Sequence, residues 1–423
     1  MSVTGGAAHA QFGLRCLEMR RFADAERHFK DALALEPDSD TLLGLLAHAV
    51  HLQDDRDKEA LEIIGRAIAV EPNEARHHTM RAFILNSLNR PKEALVAARL
   101  AQSLEPHADQ PLAAQAQAHY LMKDWAEAER AARAGLAIDP ENSTSANLLA
   151  EALRNQGRSA ENRDQIAGML ARDPEDALTH HSAGWAALQR GDHRAAESHF
   201  REALRLSPGL EPAREGLLAS FRSRSPFYRG YLRYCLWMAR LKEKSQWAVV
   251  IGIYVGYRLV AKAAGAISPT LAFGVVALYL LLVLWAFVAN AVGNFILLMD
   301  RFARHALKRR EKIEAVVAGG AVVAGLVLLG LGFGFGLTWA LVLGAALAVG
   351  AIPWSLVFTN PSRAGRMLFG AVGVTVWLGA TCFLAGMWTA LQPLTDVGEK
   401  VLIAGGIGVI VTTWLAGIPA LRR

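Results

Sequence analysis

The pattern of apolar and polar positions changes once along the chain. Through residues 6–208, apolar residues recur at helical spacing in short runs, each closed by a proline: Pro37, Pro72, Pro106, Pro140, Pro174 and Pro208. The first interval is 35 residues and the other four are 34. Proline lacks the amide donor and clashes with the preceding helical turn, so each one stops a helix. A stop at this regularity punctuates a series of helical hairpins. From Trp247 onward the pattern becomes near-continuous and apolar, in six runs at 247–267, 270–299, 315–335, 337–358, 367–391 and 400–420. Each has about the 20 residues that cross a hydrocarbon core. The expected fold class is all-α, six hairpins and a cap followed by a polytopic transmembrane bundle.

The residues ahead of the prolines repeat as well: Leu-Ala-Leu-Glu-Pro, Ile-Ala-Val-Glu-Pro, Leu-Ala-Ile-Asp-Pro and Leu-Arg-Leu-Ser-Pro. Small residues recur in phase at Ala25, Ala60, Ala94, Ala128 and Ala196, and again at Ala32, Ala67, Ala101, Gly135 and Ala203. Bulky Phe29, Ile64 and Phe200 follow the first set by four. In these features residues 6–222 resemble the tetratricopeptide-repeat (TPR) family, a superhelix of paired antiparallel helices. His9, His78 and His180 stand where that family carries an early tryptophan, and the fifth repeat has Asn162 and Met169 at normally small sites. A single hairpin cannot bury its apolar face, so stacking supplies the core and a terminal helix caps it. Residues 211–222 are the expected cap.

The resemblance implies protein or peptide recognition on a concave face lined by the first helix of each repeat. It places Arg76, Asn86, Gln117, Tyr120, Asn147, Arg154, His181 and Trp185 towards that groove, with Gln110, Glu151 and Asn155 beside them. Tyrosine, tryptophan and arginine are the types enriched at binding hot spots. The lysine–asparagine clamp of chaperone-binding relatives is absent from these faces.

Charge divides the chain at the same place as hydropathy. Residues 245–423 hold 13 Lys/Arg and 5 Asp/Glu of the chain's 45 and 39, so the mean hydropathy of +0.21 averages two unlike halves. The basic residues of the second half cluster at the ends of apolar runs: Arg222 to Lys244 before the first, Arg301 to Lys312 between the second and third, Arg363 and Arg366 between the fourth and fifth, then Arg422 and Arg423. These clusters fall on one side, which by the positive-inside rule is cytoplasmic. The expectation is an integral protein of a bacterial-type inner membrane, with its repeats and C-terminus in the cytoplasm. A basic pI built this way is not a nucleic-acid footprint.

Three domains follow: repeats over 1–222, a juxtamembrane helix over 223–245 and a membrane domain over 246–423. In the middle segment Phe227, Tyr231, Tyr234, Met238 and Leu241 form a helical stripe, with Trp237 close by. Arg229, Arg233 and Arg240 are offset from it by two residues, or about 200°. This reads as an interfacial helix, its aromatics (Tyr231, Tyr234, Trp237) at the acyl boundary and its arginines on anionic headgroups. The competing reading docks the helix on the last repeat. Arg258, inside the first apolar run, is costly against lipid and is expected to pair with Asn290 across the bundle.

No catalytic constellation stands out. The three cysteines, Cys16, Cys235 and Cys382, have no metal spacing, adjacent histidines such as His77 and His78 diverge around a helix, and no nucleophile–base pair lies in the apolar runs. No enzyme activity, cofactor or metal is expected. The partners expected are a protein or peptide ligand, anionic lipid and other membrane subunits. A membrane-anchored scaffold or adaptor is the first reading, and a transporter or channel subunit with a TPR recruitment domain the alternative.

Overall fold

A computed structural model describes residues 5–301 and 303–415, and among these every regular element is helical. The end of the sixth expected run (416–420) and the pair Arg422–Arg423 lie outside the described residues. Six hairpins come first: α1 (Gly5–Glu18) with α2 (Phe22–Leu35), α3 (Asp40–His51) with α4 (Asp57–Val70), α5 (Ala75–Ser87) with α6 (Pro91–Leu104), α7 (Gln110–Leu121) with α8 (Trp125–Ile138), α9 (Ser143–Gln156) with α10 (Ser159–Arg172), and α11 (Ala177–Arg190) with α12 (His193–Leu206). Then follow α13 (Glu211–Arg222), α14 (Pro226–Arg240), α15 (Glu243–Ile267), α16 (Pro269–Met299), α17 (Arg309–Glu314), α18 (Gly320–Phe335), α19 (Thr338–Thr359), α20 (Arg363–Thr389) and α21 (Gln392–Leu415). The chain divides into two compact units. One comprises residues 1–186, 205–208 and 239–242; the other comprises 187–204, 209–238 and 243–423.

The small residues of the repeats are buried as their phase requires. Ala25, Ala60, Ala94 and Ala128 are fully covered, as are Ala32, Ala67 and Ala101. Phe29 and Ile64 fill the space beside them, also at 0% exposure. Asn162 and Met169 in the fifth repeat are buried too. Each hairpin turns through one left-handed residue: Arg20, Asp55, Asn89, Lys123, Gly157 and Gly191. These six positions keep the phase of the prolines, yet only the last two are glycine. Within the first unit, first helices pack against first helices of the next hairpin (α3 on α5, α5 on α7, α7 on α9), so the stack curves towards that side.

A charged staple links successive hairpins at the same repeat position. Glu26 on α2 accepts from Gln53 Nε2 (2.8 Å) and Arg56 Nη2 (3.0 Å) of the next hairpin's tip. Glu129 on α8 likewise accepts from Gln156 Nε2 (2.8 Å) and Arg158 Nη1 (2.6 Å). The Arg56 guanidinium holds the Glu26 carboxyl down at about 2, against the opposing effect of burial.

Among the described residues of the second unit, five helices are long and apolar enough to cross a membrane: α15, α16, α17 continued through α18, α19 and α20. The third is continuous through a π turn at Ala315–Gly319. Helices α18 and α19 cross at Gly325 and Gly344, where a Cβ on either would come within 2.8 Å of the other's carbonyl oxygen. Ala340, Gly344 and Ala348 are all buried, the close packing that small residues four apart permit.

Candidate functional site

Four first helices carry the expected groove residues of the first unit, and the side chains engage one another from repeat to repeat. Asn86 on α5 is buried and donates through Nδ2 to the Ala114 carbonyl (3.0 Å) and, at 3.4 Å, to Gln117 Oε1 on α7. Tyr120 on α7 donates to Glu151 Oε2 on α9 at 3.3 Å, and Glu151 pairs with Arg154 one turn on. Burial, reinforced by the Glu151 charge, pushes the Tyr120 phenol up to about 12. Ser182 on α11 donates to Asn147 Oδ1 at 3.5 Å, and Trp185 Nε1 donates to His181 Nε2 at 3.0 Å. Burial draws the His181 imidazole below its ordinary value. Arg76 is exposed and turned onto Glu74. The row thus spends part of its polarity holding hairpins together, while Gln117, Tyr120, Asn147, His181 and Trp185 stay half-buried.

The first unit also grips a short stretch of its own chain. Trp125 Nε1 donates to the Arg240 carbonyl (2.9 Å), Lys123 Nζ donates to the Leu241 carbonyl (3.0 Å), and Lys242 pairs with Asp124. Lys123, Asp124 and Trp125 form the tip of the α7–α8 hairpin. Lys123 has a left-handed backbone there. Two main-chain carbonyls and one lysine are what the tip recognises. The Arg240 side chain lies along the next tip, where a Cβ on Gly157 would stand 3.4 Å from its Nη1.

In the second unit the arginines of the expected interfacial helix also face protein. Arg229 and Arg233 line a cavity with Leu188, Gly191, His193, Ser223 and Leu232, and Tyr231 donates to the Ala286 carbonyl at 3.3 Å. On α14, Tyr228 and Leu232 are buried, whereas Phe227, Tyr234 and Trp237 are exposed. Of the three arginines expected on headgroups, Arg233 is exposed and Arg229 and Arg240 are half-buried. Helix α14 thus has a buried face at Tyr228 and Leu232 and an open aromatic face at Phe227, Tyr234 and Trp237.

Asn290, expected to pair with Arg258, has other partners in the structure. Asn290 Oδ1 accepts from Arg222 Nη1 (3.2 Å) and from the Tyr228 hydroxyl (3.1 Å). Buried Asn294 accepts from Arg222 Nε (3.1 Å) and Nη2 (2.6 Å). Arg258 is exposed and has no hydrogen bond among the described residues. By position in sequence Arg222 belongs to the flanking basic cluster. Its guanidinium nevertheless occupies the amide that Arg258 would need.

Around it the cap helix α13 is fastened to the apolar bundle. Arg214 pairs in a fork with both Glu311 oxygens (2.9 Å each) and donates to the Ala306 carbonyl (3.0 Å). Lys308 reaches Glu211 at 2.8 Å. Arg224 joins Glu197 (3.0 Å) on α12 to Asp300 (2.9 Å) at the end of α16. Deeper in, the buried Glu314 accepts from Ser355 Oγ at 2.9 Å. Sequence spacing does not reveal these partnerships. The signal that points to them is the pair Asn290 and Asn294, one turn apart in an otherwise apolar helix.

The histidines of the second and third hairpins take separate partners. His77 meets Asp40 (2.9 Å), His51 meets Asp57 (2.6 Å), and His78 meets the Pro72 carbonyl (2.8 Å).

Residues 17–84, 113–177 and 177–209 each match a family model described as tetratricopeptide repeat. The N-terminal hairpins are tetratricopeptide repeats. Over 149 residues the chain is 28% identical to the DnaJ homolog subfamily C member 7 homolog of Schizosaccharomyces pombe, covering 32% of this chain and 31% of that protein. The chain thus spans about a third of that relative's length. Among solved structures, a tetratricopeptide repeat protein from Parabacteroides merdae is 15% identical over 50% of this chain and 82% of its own, with a TM-score of 0.45. The pilF protein of Pseudomonas aeruginosa is 21% identical over 50% of this chain and 96% of its own, with a TM-score of 0.40.

Proposed function

We propose that this chain is a membrane-anchored scaffold whose repeats recruit a protein or peptide on the cytoplasmic side. The observation that carries the reading is the half-buried, solvent-reaching row from Gln117 and Tyr120 through Asn147 to His181 and Trp185, on first helices of successive repeats. It offers two aromatic anchors set among amides, on the side towards which the stack curves. The hold of Lys123, Asp124 and Trp125 on the 239–242 segment supports the same reading. There, fixed donors take main-chain carbonyls and a carboxylate takes a cation, as they would on a bound peptide.

Anchoring rests on helix length. At about 1.5 Å per residue the 31 residues of α16 extend roughly 46 Å, against a hydrocarbon core of about 30 Å. The surplus of about ten residues fits at the end that carries Asn290, Asn294 and Asp300, where arginines meet them at the aqueous edge. That placement removes the cost of sinking Arg222 in lipid and keeps the basic loops on one side. Phe227, Tyr234 and Trp237 then form the lipid-facing edge of α14.

A photo-crosslinking residue placed at Gln117 or at Val96 in the full-length protein tests recruitment in native membranes. Val96 is 70% exposed on a second helix. Discrete adducts at Gln117 and none of the same mass at Val96 are expected. The same adducts from both positions would remove the row from recognition.

A further inference from the structure

The first hairpin brings together two imidazoles and a carboxylate that no hydrogen bond uses among the described residues. His9 lies on α1, and His28 and Asp31 lie three residues apart on α2. One ligand atom from each falls within 4.8 Å of the other two. His9 Nδ1 stands 3.8 Å from Asp31 Oδ2, too long for a hydrogen bond. His9 Nδ1 and His28 Nδ1 are both covered from solvent and have no hydrogen-bond partner. A buried imidazole nitrogen left unpaired is costly, and two aimed at one space beside a carboxylate are costlier.

The repeat itself provides the contrast. His78 and His180 occupy the position equivalent to His9, and each is satisfied through Nε2 by a proline carbonyl at 2.8 and 3.0 Å. The positions equivalent to His28 and Asp31 hold Ile63 and Arg66, Ala97 and Leu100, Ala131 and Ala134, and Gln165 and Gly168 in the next four repeats. In the sixth repeat His180, His199 and Glu202 stand at the same three positions, with His180 satisfied by the Pro174 carbonyl; what distinguishes the first hairpin is that the Nδ1 atoms of both its histidines are buried without a partner. The His28 ring is tilted against Phe12 at 5.8 Å, which fixes its face, and the nearest cations are engaged elsewhere: Arg15 over Phe12, Arg27 on Asp24, Lys30 on Glu26.

We propose that His9, His28 and Asp31 bind one first-row divalent cation of the zinc class, clipping α1 to α2. Two imidazoles and one carboxylate form a borderline donor set suited to Zn2+ or Co2+, with water completing a tetrahedron. Ligands about 2.0–2.1 Å from a tetrahedral ion lie roughly 3.3 Å apart. Closing from the observed separations needs about an ångström of side-chain movement, and both His9 and Asp31 are partly exposed. The clip would hold the first helix of the stack, whose outer face no earlier hairpin covers among the described residues.

The test is Co2+ titration of the full-length, detergent-solubilised protein carrying a tag without histidine, after chelator treatment and its removal. Visible d–d absorption and equilibrium dialysis report geometry and stoichiometry. The expected result is a tetrahedral-type spectrum that His28→Gln abolishes with the loss of one bound equivalent, and that Asp31→Asn weakens by about tenfold. Zn2+ should displace Co2+ and raise the melting temperature of the wild type but not of His28→Gln. Identical isotherms for wild type and His28→Gln would overturn the proposal, leaving only adventitious binding by other histidines. So would an unchanged spectrum in Asp31→Asn, whose exposed side chain leaves the fold intact.

Discussion

The same repeat position has two destinations in this molecule. Within the first unit, Glu26 and Glu129 each take an arginine and a glutamine from the tip of the following hairpin, and the staple closes there. In the second unit the equivalent Glu197 takes Arg224, but that arginine continues to Asp300 on α16. Next to it Arg214 and Arg222 do the same with Glu311, Asn290 and Asn294. A repeat in mid-stack satisfies its polar groups on the next repeat. At the end of the stack, with no further repeat to receive them, the apolar bundle supplies the partners.

The largest effect that would break this comparison is expected at Arg222. Arg222→Met leaves the 2%-exposed Asn294 without its donor and should cost about 1–3 kcal/mol, as unsatisfied buried polar groups do. Thermal unfolding of the detergent-solubilised protein measures it. Restoration by Asn294→Leu in the same chain would identify the unsatisfied amide as the cause. A staple inside the stack is worth less. Glu129→Gln loses the ionic part of its bonds to Arg158 and Arg133 and should cost about 1 kcal/mol, since these pairs lie partly in solvent. Glu93→Gln, which alters only an exposed pair within one hairpin, should barely move the melting temperature.

Acidification separates the regions by another route. Burial lowers the imidazole values of His48 and His181, both in the first unit. A group whose folded value is depressed binds its proton more readily when unfolded. Its stabilising contribution is therefore full above the unfolded value of about 6.5 and declines as pH falls below it. The repeats should lose melting temperature between about pH 7 and 5. His181→Gln should flatten that slope; an unchanged slope would show that His181 binds its proton equally well in the folded and unfolded chain. The smallest effect is conformational. Arg20 holds a left-handed backbone at φ 57°, so Arg20→Gly should gain about 0.5 kcal/mol, the strain relieved less the extra entropy lost on folding. Denaturant unfolding midpoints would resolve it.

The hairpins are legible in the sequence because proline and alanine are needed at fixed phase by backbone chemistry and close approach, and both recur at 34 residues. The left-handed tips are not, since Arg20, Asp55, Asn89 and Lys123 adopt that conformation without the glycine that advertises it. Arg222 illustrates the deeper limit. An arginine beside an apolar run reads as one of the charges that set topology, yet its long side chain reaches Asn290 and Asn294, and sequence distance hides the partnership. Asn86 is legible as a first-helix residue but not as one whose amide is consumed by the Ala114 carbonyl. His9, His28 and Asp31 show no ligand spacing along either helix, because the trio forms only when α1 folds onto α2.

The claim on which the rest depends is that the bundle spans a bilayer with the repeats on its basic, cytoplasmic side. Limited trypsin digestion of sealed inner-membrane vesicles of both orientations measures it directly. Cleavage of the repeat half in inside-out vesicles, with protection in right-side-out ones, is the predicted result. Protection in inside-out vesicles together with cleavage in right-side-out ones, or release of the intact chain by carbonate, would contradict it.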